Sequence, residues 1–373
     1  MRGILQRFRR GRIIRSVEAA SKRFRDTKEI DMSKIDDGKG VARRAVLQGA
    51  GAGIGMGLMA GMTGAAAAAP ETAIWSSEYW AHKGSVKLNL WRKRLGAPAA
   101  GEAARPVVFL VHGSSNSSRT SYDLSVPGHG EYSLMNVLAR EGYDVWTMDH
   151  DGYGRSGSSG NNSDIASGVE DLKAAMPVVQ KESGRAKVHL YGTSSGGIRA
   201  AAYAQAQPEH VDRLMLSAFT YKGNGAAEIE RRRKRIDQLR ANNRRKRDAA
   251  MIRSIFTRDG HPQFYDPAVA EAIIADEMKF GDTVPTGTYL DMAANLPIVD
   301  PKKVMAPVLM LRGEFDGNST NDDLLDFYRQ LPNGDRQFII LPQTAHSAGW
   351  GKNRHLLFYA LRNFLAEPAP IAS

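Results

Sequence analysis

The feature that most constrains the fold is an alternation of short apolar runs with helix-like stretches downstream of Pro70. Residues 107–111 form a continuous apolar run, too short for a buried helix, and they predict a central strand. Residues 188–191 predict another strand. Residues 134–140 and 171–179 have the spacing of amphipathic helices. Such alternation predicts an α/β protein with a mostly parallel sheet of about eight strands and helices on both faces. Residues 86–90, in which apolar and polar side chains alternate, predict an edge strand.

One predicted strand runs into a helix through the pentapeptide 192–196, Gly-Thr-Ser-Ser-Gly. A Gly-x-Ser-x-Gly run alone is a weak signal, because glycine and serine are common in loops. Here a strand precedes the run and a helix follows it, which is the context that a nucleophile elbow requires. The start of that helix would direct amides and a positive dipole end at the serine hydroxyl. Ser194 is therefore the predicted nucleophile.

Two later strand ends carry the acid and the base that a serine nucleophile needs. The apolar run 308–311 leads to Glu314 and Asp316, and the run 338–341 leads to His346. The order Ser, acid, His is found in serine hydrolases, and open α/β sheets place their sites at the carboxyl ends of strands. The three stretches are therefore expected to converge on one edge of the sheet.

Together these motifs resemble the α/β-hydrolase superfamily, over about residues 75–365. In that family the acid commonly stands in a Gly-x-x-Asp run, matched here by residues 313–316. The resemblance implies that Asp316 is the acid and His346 the base, with Glu314 as the alternative acid. It also implies that the backbone amides of Ser114, which follows a His-Gly pair, and of Ser195 are the oxyanion donors.

A second part of the resemblance concerns the run 149–156, which is similar to the family's Asp-x-x-Gly-x-Gly-x-Ser turn. That turn would support the site structurally, and His112 is expected to be a structural loop histidine. A metal site at Asp149, His150 and Asp151 is not expected, because adjacent turn residues rarely direct all their ligands inward. No metal and no cofactor are predicted.

Nearly ninety residues separate the predicted strand 214–218 from residue 308, which is more than a crossover helix requires. The family often carries a helical cap at this point. The expected division is a leader at 1–69, a core at 70–220 and 302–373, and a cap at 221–301.

Within the expected cap, residues 228–258 hold twelve basic and four acidic side chains. They are interpreted mainly as a solvated helix face, with Ile229, Ile236 and Leu239 turned inward. Attraction of an anionic substrate or surface is an alternative. Nucleic acid binding is disfavoured, because aromatic residues do not interleave with the charges.

Most of the formal net charge of +11 belongs to the leader: residues 1–31 hold ten basic and four acidic side chains, and residues 32–69 hold four and two. Arg43 and Arg44, followed by an uncharged stretch to residue 69, resemble a twin-arginine export signal. Cleavage near Pro70 would give a periplasmic or secreted protein that meets the export machinery, and the membrane, only in transit. A membrane-anchored form is the alternative, and either Met1 or Met32 could be the start.

The predicted reaction is hydrolysis of a carboxylic ester of a small molecule through an acyl-enzyme on Ser194. Lactone, amide, carbamate or carbon–carbon bond hydrolysis and acyl transfer would need the same residues. A ligand-binding protein without catalysis is a further alternative. The chain has no cysteine, so disulfides and thiolate chemistry are excluded.

Overall fold

The computed structural model of the chain describes residues 73–368. Its strands are β1 (Ile74–Lys83), β2 (Val86–Leu95), β3 (Val107–Val111), β4 (Asp144–Met148), β5 (Val188–Thr193), β6 (Val211–Ser217), β7 (Arg244–Lys246), β8 (Thr283–Pro285), β9 (Val308–Gly313) and β10 (Arg336–Leu341). Eight of them form one sheet in the order β1-β2-β4-β3-β5-β6-β9-β10, while β7 and β8 pair separately. From β4 to β10 every neighbouring pair is parallel.

The helices lie between these strands. They are α1 (Ser118–Tyr122), α2 (Leu134–Arg140), α3 (Ile165–Ser183), α4 (Ser195–Ala206), α5 (Ala227–Arg233), α6 (Ile236–Ala241), α7 (Ala249–Ile255), α8 (Pro267–Glu277), α9 (Gly287–Ala294), α10 (Asn321–Gln330) and α11 (Arg354–Ala366). Single 3-10 turns occur at Pro208–His210, Pro262–Phe264, Met278–Phe280, Pro301–Lys303 and Ala348–Trp350. No helix of this described part combines the length and apolar character needed to cross a bilayer.

Helices cover both faces of the sheet, which explains why the central strands are apolar throughout. Alternate residues of β3 point to opposite sides: Phe109 packs in a cluster with α3 and α4, and Leu110 packs in a cluster with α2 and α11. All five residues of β3 are buried. The predicted fold class, a mostly parallel sheet of about eight strands with helices on both faces, is confirmed.

The prediction of an edge strand at residues 86–90 was wrong, because β2 lies inside the sheet. Its partner on the outer side is β1, which pairs with it along its whole length through a two-residue turn at Gly84 and Ser85. Gly84 has a φ of +57°, a conformation that glycine adopts without strain. β1 was missed because its mixed composition lacks the apolar run by which the other strands were identified.

Between β6 and β9 the chain forms α5 to α9 and the small β7–β8 sheet. Part of this segment belongs to a separate apolar cluster, in which Ile252 and Ile255 of α7 pack against Val269 and Ile273 of α8. Ala345, next to His346, belongs to the same cluster. The segment is therefore packed directly beside the predicted base.

The predicted leader at 1–69, its twin-arginine signal and the cleavage point near Pro70 lie outside residues 73–368. They stay predictions from the sequence.

Candidate active site

Ser194 stands alone between β5 and α4, in a turn of unusual backbone geometry. Its φ and ψ are +56° and −129°, a conformation that is strained for a residue with a side chain. A Cβ on Gly192 would lie 2.3 Å from the Gly196 carbonyl oxygen, and a Cβ on Gly196 would lie 2.1 Å from that of Val111. The two glycines are therefore sterically required, and they allow the chain to turn sharply enough to present the serine.

Three residues from three strand ends form a continuous hydrogen-bonded series. The Ser194 hydroxyl donates to Nε2 of His346 across 3.1 Å, and Nδ1 of His346 donates to Oδ1 of Asp316 across 2.8 Å. Asp316 follows β9 and His346 follows β10, and these two strands are paired in parallel. The structure thus brings together the three residues that the sequence predicted as nucleophile, base and acid.

The Asp316 carboxylate is held in its ionised form. It is 2% exposed, and burial by itself raises its pKa. The charge and hydrogen bond of His346, the backbone N–H of Asn318 and the nearby Arg258 outweigh burial, so the pKa lies below its usual value. An ionised Asp316 fixes the His346 tautomer that leaves Nε2 free to accept the serine proton.

Glu314, the alternative acid, occupies a different environment. Its side chain is exposed, and its Oε2 accepts the backbone N–H of Gln343 across 2.8 Å. The carboxylate that contacts His346 belongs to Asp316. The geometry therefore favours Asp316 over Glu314.

The two residues whose amides were predicted as oxyanion donors contact each other. Ser195 opens α4, and Ser114 approaches it closely, with 2.8 Å between the two hydroxyl oxygens. Ser114 also contacts Thr288 of α9, with 2.6 Å between the hydroxyl oxygens. Among residues 73–368, no hydrogen bond involves the backbone amide of Ser114 or of Ser195. A backbone N–H without an intramolecular acceptor is what an oxyanion hole requires.

His112 and His150 are structural. Nδ1 of His112 donates to the Gly113 carbonyl oxygen across 2.8 Å, and its Nε2 accepts the backbone N–H of His150 across 3.0 Å. Burial, reinforced by the charge of Arg199, lowers the pKa of His150 to about 4, and burial also places the pKa of His112 well below its usual value. Neutral at pH 7, the two rings hold the loop that carries Ser114.

The run 149–156 is organised around the buried carboxylate of Asp149. Asp149 is fully buried and accepts the backbone N–H groups of Ser118 and Arg155. A Cβ on Gly154 would collide with this carboxylate at 2.2 Å, so glycine is required there. Within the described ranges, no three or more His, Asp or Glu side chains are grouped as metal ligands are.

A cavity opens at Ser194 and His346, and its lining has two characters. One part is apolar, including Tyr132, Leu134, Ile255, Trp350, Leu357 and Phe358. The other part is polar or cationic, including Asn116, Arg232, Arg258 and Tyr289. The cavity thus offers both an apolar surface and a charged surface to one ligand.

The interpretation of residues 228–258 as a solvated helix face was wrong for part of them. Arg232 is 7% exposed and lines the cavity, as does Arg258. The sequence did contain a signal that Arg232 faces inward. It stands three residues after Ile229, which was predicted to face inward and is fully buried, and residues three apart share a helix face. Arg258, Tyr289 and Trp350 had no comparable signal, because only long-range packing brings them to the cavity.

The sequence matches the family described as serine aminopeptidase, S33, over residues 102–348, about two thirds of the chain. A curated relative from Paraburkholderia phymatum, named 2-hydroxy-6-oxononadienedioate/2-hydroxy-6-oxononatrienedioate hydrolase, is 31% identical over 117 residues. That match covers 31% of this chain and 36% of the relative. The chain therefore spans little more than a third of the length of this curated relative.

Solved structures show the same fold over most of the chain. An esterase from Thermogutta terrifontis, solved with malate bound, has a TM-score of 0.56 at 18% identity and covers 78% of this chain and 98% of its own. 2-Hydroxy-6-oxo-6-phenylhexa-2,4-dienoate hydrolase from Rhodococcus sp. has a TM-score of 0.57 at 16% identity and covers 79% of this chain and 100% of its own. At these identities the likeness concerns the fold.

Proposed function

This chain belongs to the serine aminopeptidase, S33 family of α/β-hydrolases, and from that premise we propose that it cleaves a carboxylic ester, or a related acyl bond, of a small organic substrate. The observation that carries the proposal is the hydrogen-bonded series of Ser194, His346 and Asp316 at the strained turn after β5. A serine, an imidazole and a buried carboxylate in this order are the parts needed for acyl transfer to a serine.

In the first half of the reaction, His346 takes the proton of Ser194 while the serine oxygen attacks the acyl carbon. Asp316 stabilises the imidazolium that forms. The backbone amides of Ser114 and Ser195 receive the negative charge that develops on the carbonyl oxygen. The tetrahedral intermediate collapses when the alcohol leaves with the proton from His346, and the acyl group remains on Ser194.

In the second half, water takes the place of the alcohol. His346 accepts a proton from the water as its oxygen attacks the acyl carbon. Collapse of this second intermediate releases the acid and returns the proton to Ser194. The enzyme is restored with no cofactor consumed.

We further propose that residues 221–301 act as a cap that selects the substrate. Arg232 of α5, Ile255 of α7, Arg258 and Tyr289 of α9 line the same cavity as Ser194, which supports this role. Differences in this segment would then change the substrate without changing the hydrolytic residues.

The family description suggests a peptide substrate with a free amino terminus. The charge of the cavity favours an ester over such a peptide. An aminopeptidase holds a free ammonium group next to the scissile bond, which requires a nearby carboxylate or similar acceptor. The residues that line this cavity include Arg232 and Arg258, and among the described residues no Asp or Glu belongs to the lining. The cationic side chains would repel an ammonium group.

A second candidate is carbon–carbon bond hydrolysis. The observation that favours it is the curated relative, whose named substrate contains no ester, so that its hydrolysis breaks a carbon–carbon bond. The same serine, histidine and aspartate would serve both reactions. Only a comparison of substrates can therefore distinguish ester hydrolysis from carbon–carbon bond hydrolysis.

The test is active-site labelling of the purified protein with a fluorophosphonate. We expect covalent modification of the wild type at Ser194 and none of Ser194→Ala. Hydrolysis of short 4-nitrophenyl esters, compared with a 2-hydroxy-6-oxo-dienoate and an aminoacyl 4-nitroanilide, then identifies the bond that is cleaved. A folded wild-type protein that does not react with the label and cleaves none of these substrates would contradict the proposal.

A further inference from the structure

Three arginines converge on one tyrosine at the wall of the cavity. The guanidinium carbon of Arg245 lies 3.9 Å from the centre of the Tyr289 ring, and that of Arg232 lies 4.4 Å from it. Arg258 acts on the same phenol electrostatically. Two of these arginines, Arg232 and Arg258, line the cavity together with Ser194. Positive charge is thus concentrated where a substrate would lie.

The acids nearby do not balance this charge. Glu228 forms its ion pair with Arg231, whose side chain is 56% exposed. Asp259 lies 3.7 Å from Nε of Arg258, and its other oxygen accepts the backbone N–H of His346 across 3.1 Å. Asp316 also faces Arg258 but is paired with His346, so three acids face four guanidinium groups. A buried cation without a full complement of acceptors is unfavourable unless a ligand supplies the missing partner.

The hydrogen bonding of the two cavity arginines is also incomplete. Nε and Nη2 of Arg258 are buried and have no hydrogen-bond partner among residues 73–368. The contact made by Arg232 Nη1 is with the sulfur of Met292, a weak acceptor, at 3.2 Å. A guanidinium group can donate five hydrogen bonds and matches a carboxylate in a two-point contact.

We propose that Arg232, Arg258 and Tyr289 form an anion subsite that binds a carboxylate carried by the substrate, so that the substrates are anionic esters such as monoesters of dicarboxylic acids. The inference rests on the proposed function for the position of the ester at Ser194. The binding of the carboxylate itself does not depend on hydrolysis.

The ionisation of Tyr289 supports this assignment. Burial raises the pKa of its phenol, but the charges of Arg245, Arg232 and Arg258 outweigh burial and lower the pKa to about 7. The pocket therefore stabilises a negative charge strongly enough to favour ionisation of a group that usually titrates near pH 10. A carboxylate would satisfy the same electrostatic demand without deprotonating the tyrosine.

The kinetic test compares paired substrates. The 4-nitrophenyl monoester of glutaric acid carries the carboxylate on the acyl side and is compared with 4-nitrophenyl valerate. The ester 4-acetoxybenzoate carries it on the leaving group and is compared with phenyl acetate. We expect the wild type to prefer the anionic member of at least one pair in kcat/KM, by roughly 10- to 100-fold, the range expected for hydrogen bonds to a charged group.

The variants are Arg232→Met and Arg258→Gln, with Arg240→Gln as the matched control. Arg240 lies in the same segment, is exposed and makes no hydrogen bond or ion pair among the described residues. We expect the preference to fall toward one in both cavity variants and to persist in the control. Circular dichroism shows whether Arg258→Gln folds. If it does not, Arg258→Lys takes its place; this variant keeps the charge and should retain part of the preference for the anionic substrate.

Binding of glutarate to Ser194→Ala, measured by calorimetry, separates the two proposals. Binding that is lost when Arg258→Gln is added supports the subsite, even if no ester is hydrolysed and the proposed function fails. Fluorophosphonate labelling and neutral-ester hydrolysis without glutarate binding and without any anionic preference would overturn the subsite and leave the proposed function intact. Equal loss of preference in Arg240→Gln would also overturn it, because the effect would then reflect overall charge.

Discussion

At the scale of single residues, Asp316 and Glu314 show how strongly surroundings decide the role of a carboxylate. They stand two residues apart in the loop after β9. Asp316 is buried against His346, whereas Glu314 is exposed and contacts the backbone of Gln343. Only a buried, ionised carboxylate in contact with the imidazole can hold its tautomer and stabilise its positive form.

We therefore expect Asp316→Asn to lower kcat for ester hydrolysis by roughly 10³- to 10⁴-fold, because an amide favours the wrong tautomer of His346. The control is Glu314→Gln, a change of the same kind two residues away, which should leave kcat within about twofold of the wild type if Glu314 acts only at the surface. Steady-state kinetics on one ester substrate measures both. A larger loss in Glu314→Gln than in Asp316→Asn would reverse the assignment.

At the scale of elements, a buried ion pair joins the antiparallel hairpin to the parallel part of the sheet. Arg92 of β2 makes a two-point contact with Asp144 of β4, with distances of 2.8 and 2.6 Å. Both side chains are 2% exposed. The guanidinium group also lies 4.9 Å from the centre of the Trp146 ring and donates to the hydroxyl of Tyr79 in β1. Three strands thus meet at one buried cation.

We expect Asp144→Asn to lower the free energy of unfolding by about 3 kcal/mol, because it leaves Arg92 buried without a counter-charge. Urea unfolding followed by circular dichroism measures the change. The matched control is Glu271→Gln, which removes an acid from an exposed pair with Arg253. Solvent screens that pair, so the control should unfold at the wild-type urea concentration. Equal destabilisation of the two variants would contradict the role given to the buried pair.

At the scale of the whole molecule, a buried neutral histidine makes stability depend on pH. The pKa of His150 is about 4, against a reference of 6.5. Between these values the unfolded chain binds a proton that the folded chain does not, so stability falls as pH decreases through this window. Asp171 and Lys83 face the same ring. The pKa of Asp171 is lowered, so the stability that Asp171 contributes to the fold is lost only below pH 3.8.

We expect the free energy of unfolding to fall more steeply between pH 6.5 and 4 in the wild type than in His150→Asn. The difference should accumulate at up to about 1.4 kcal/mol per pH unit, the slope of one proton. Burial raises the pKa of Glu277, which gives a slope of opposite sign, so the comparison has to be made between the two proteins. Parallel pH profiles from urea titrations would show that His150 does not contribute.

The sequence by itself determined the features that depend on neighbours along the chain. Strand β3 and helix α2 were predicted with the bounds that the structure shows, because apolar periodicity reflects local geometry and burial. The turn at Ser194 was predictable for the same reason, since its two glycines and the strand before it are contiguous. The order of Ser194, Asp316 and His346 pointed to one edge of the sheet, because parallel strands end on the same side.

Only the tertiary structure decided what depends on distant parts of the chain. It placed β1 outside β2, brought Asp316 rather than Glu314 to His346, and turned Arg232 and Arg258 toward the cavity. Charge and composition do not distinguish an exposed arginine from one enclosed by packing. The direction of these side chains is set by elements that are distant along the chain. The sequence therefore offered attraction of an anionic substrate only as an alternative, and the folded molecule supplies the side-chain positions that support it.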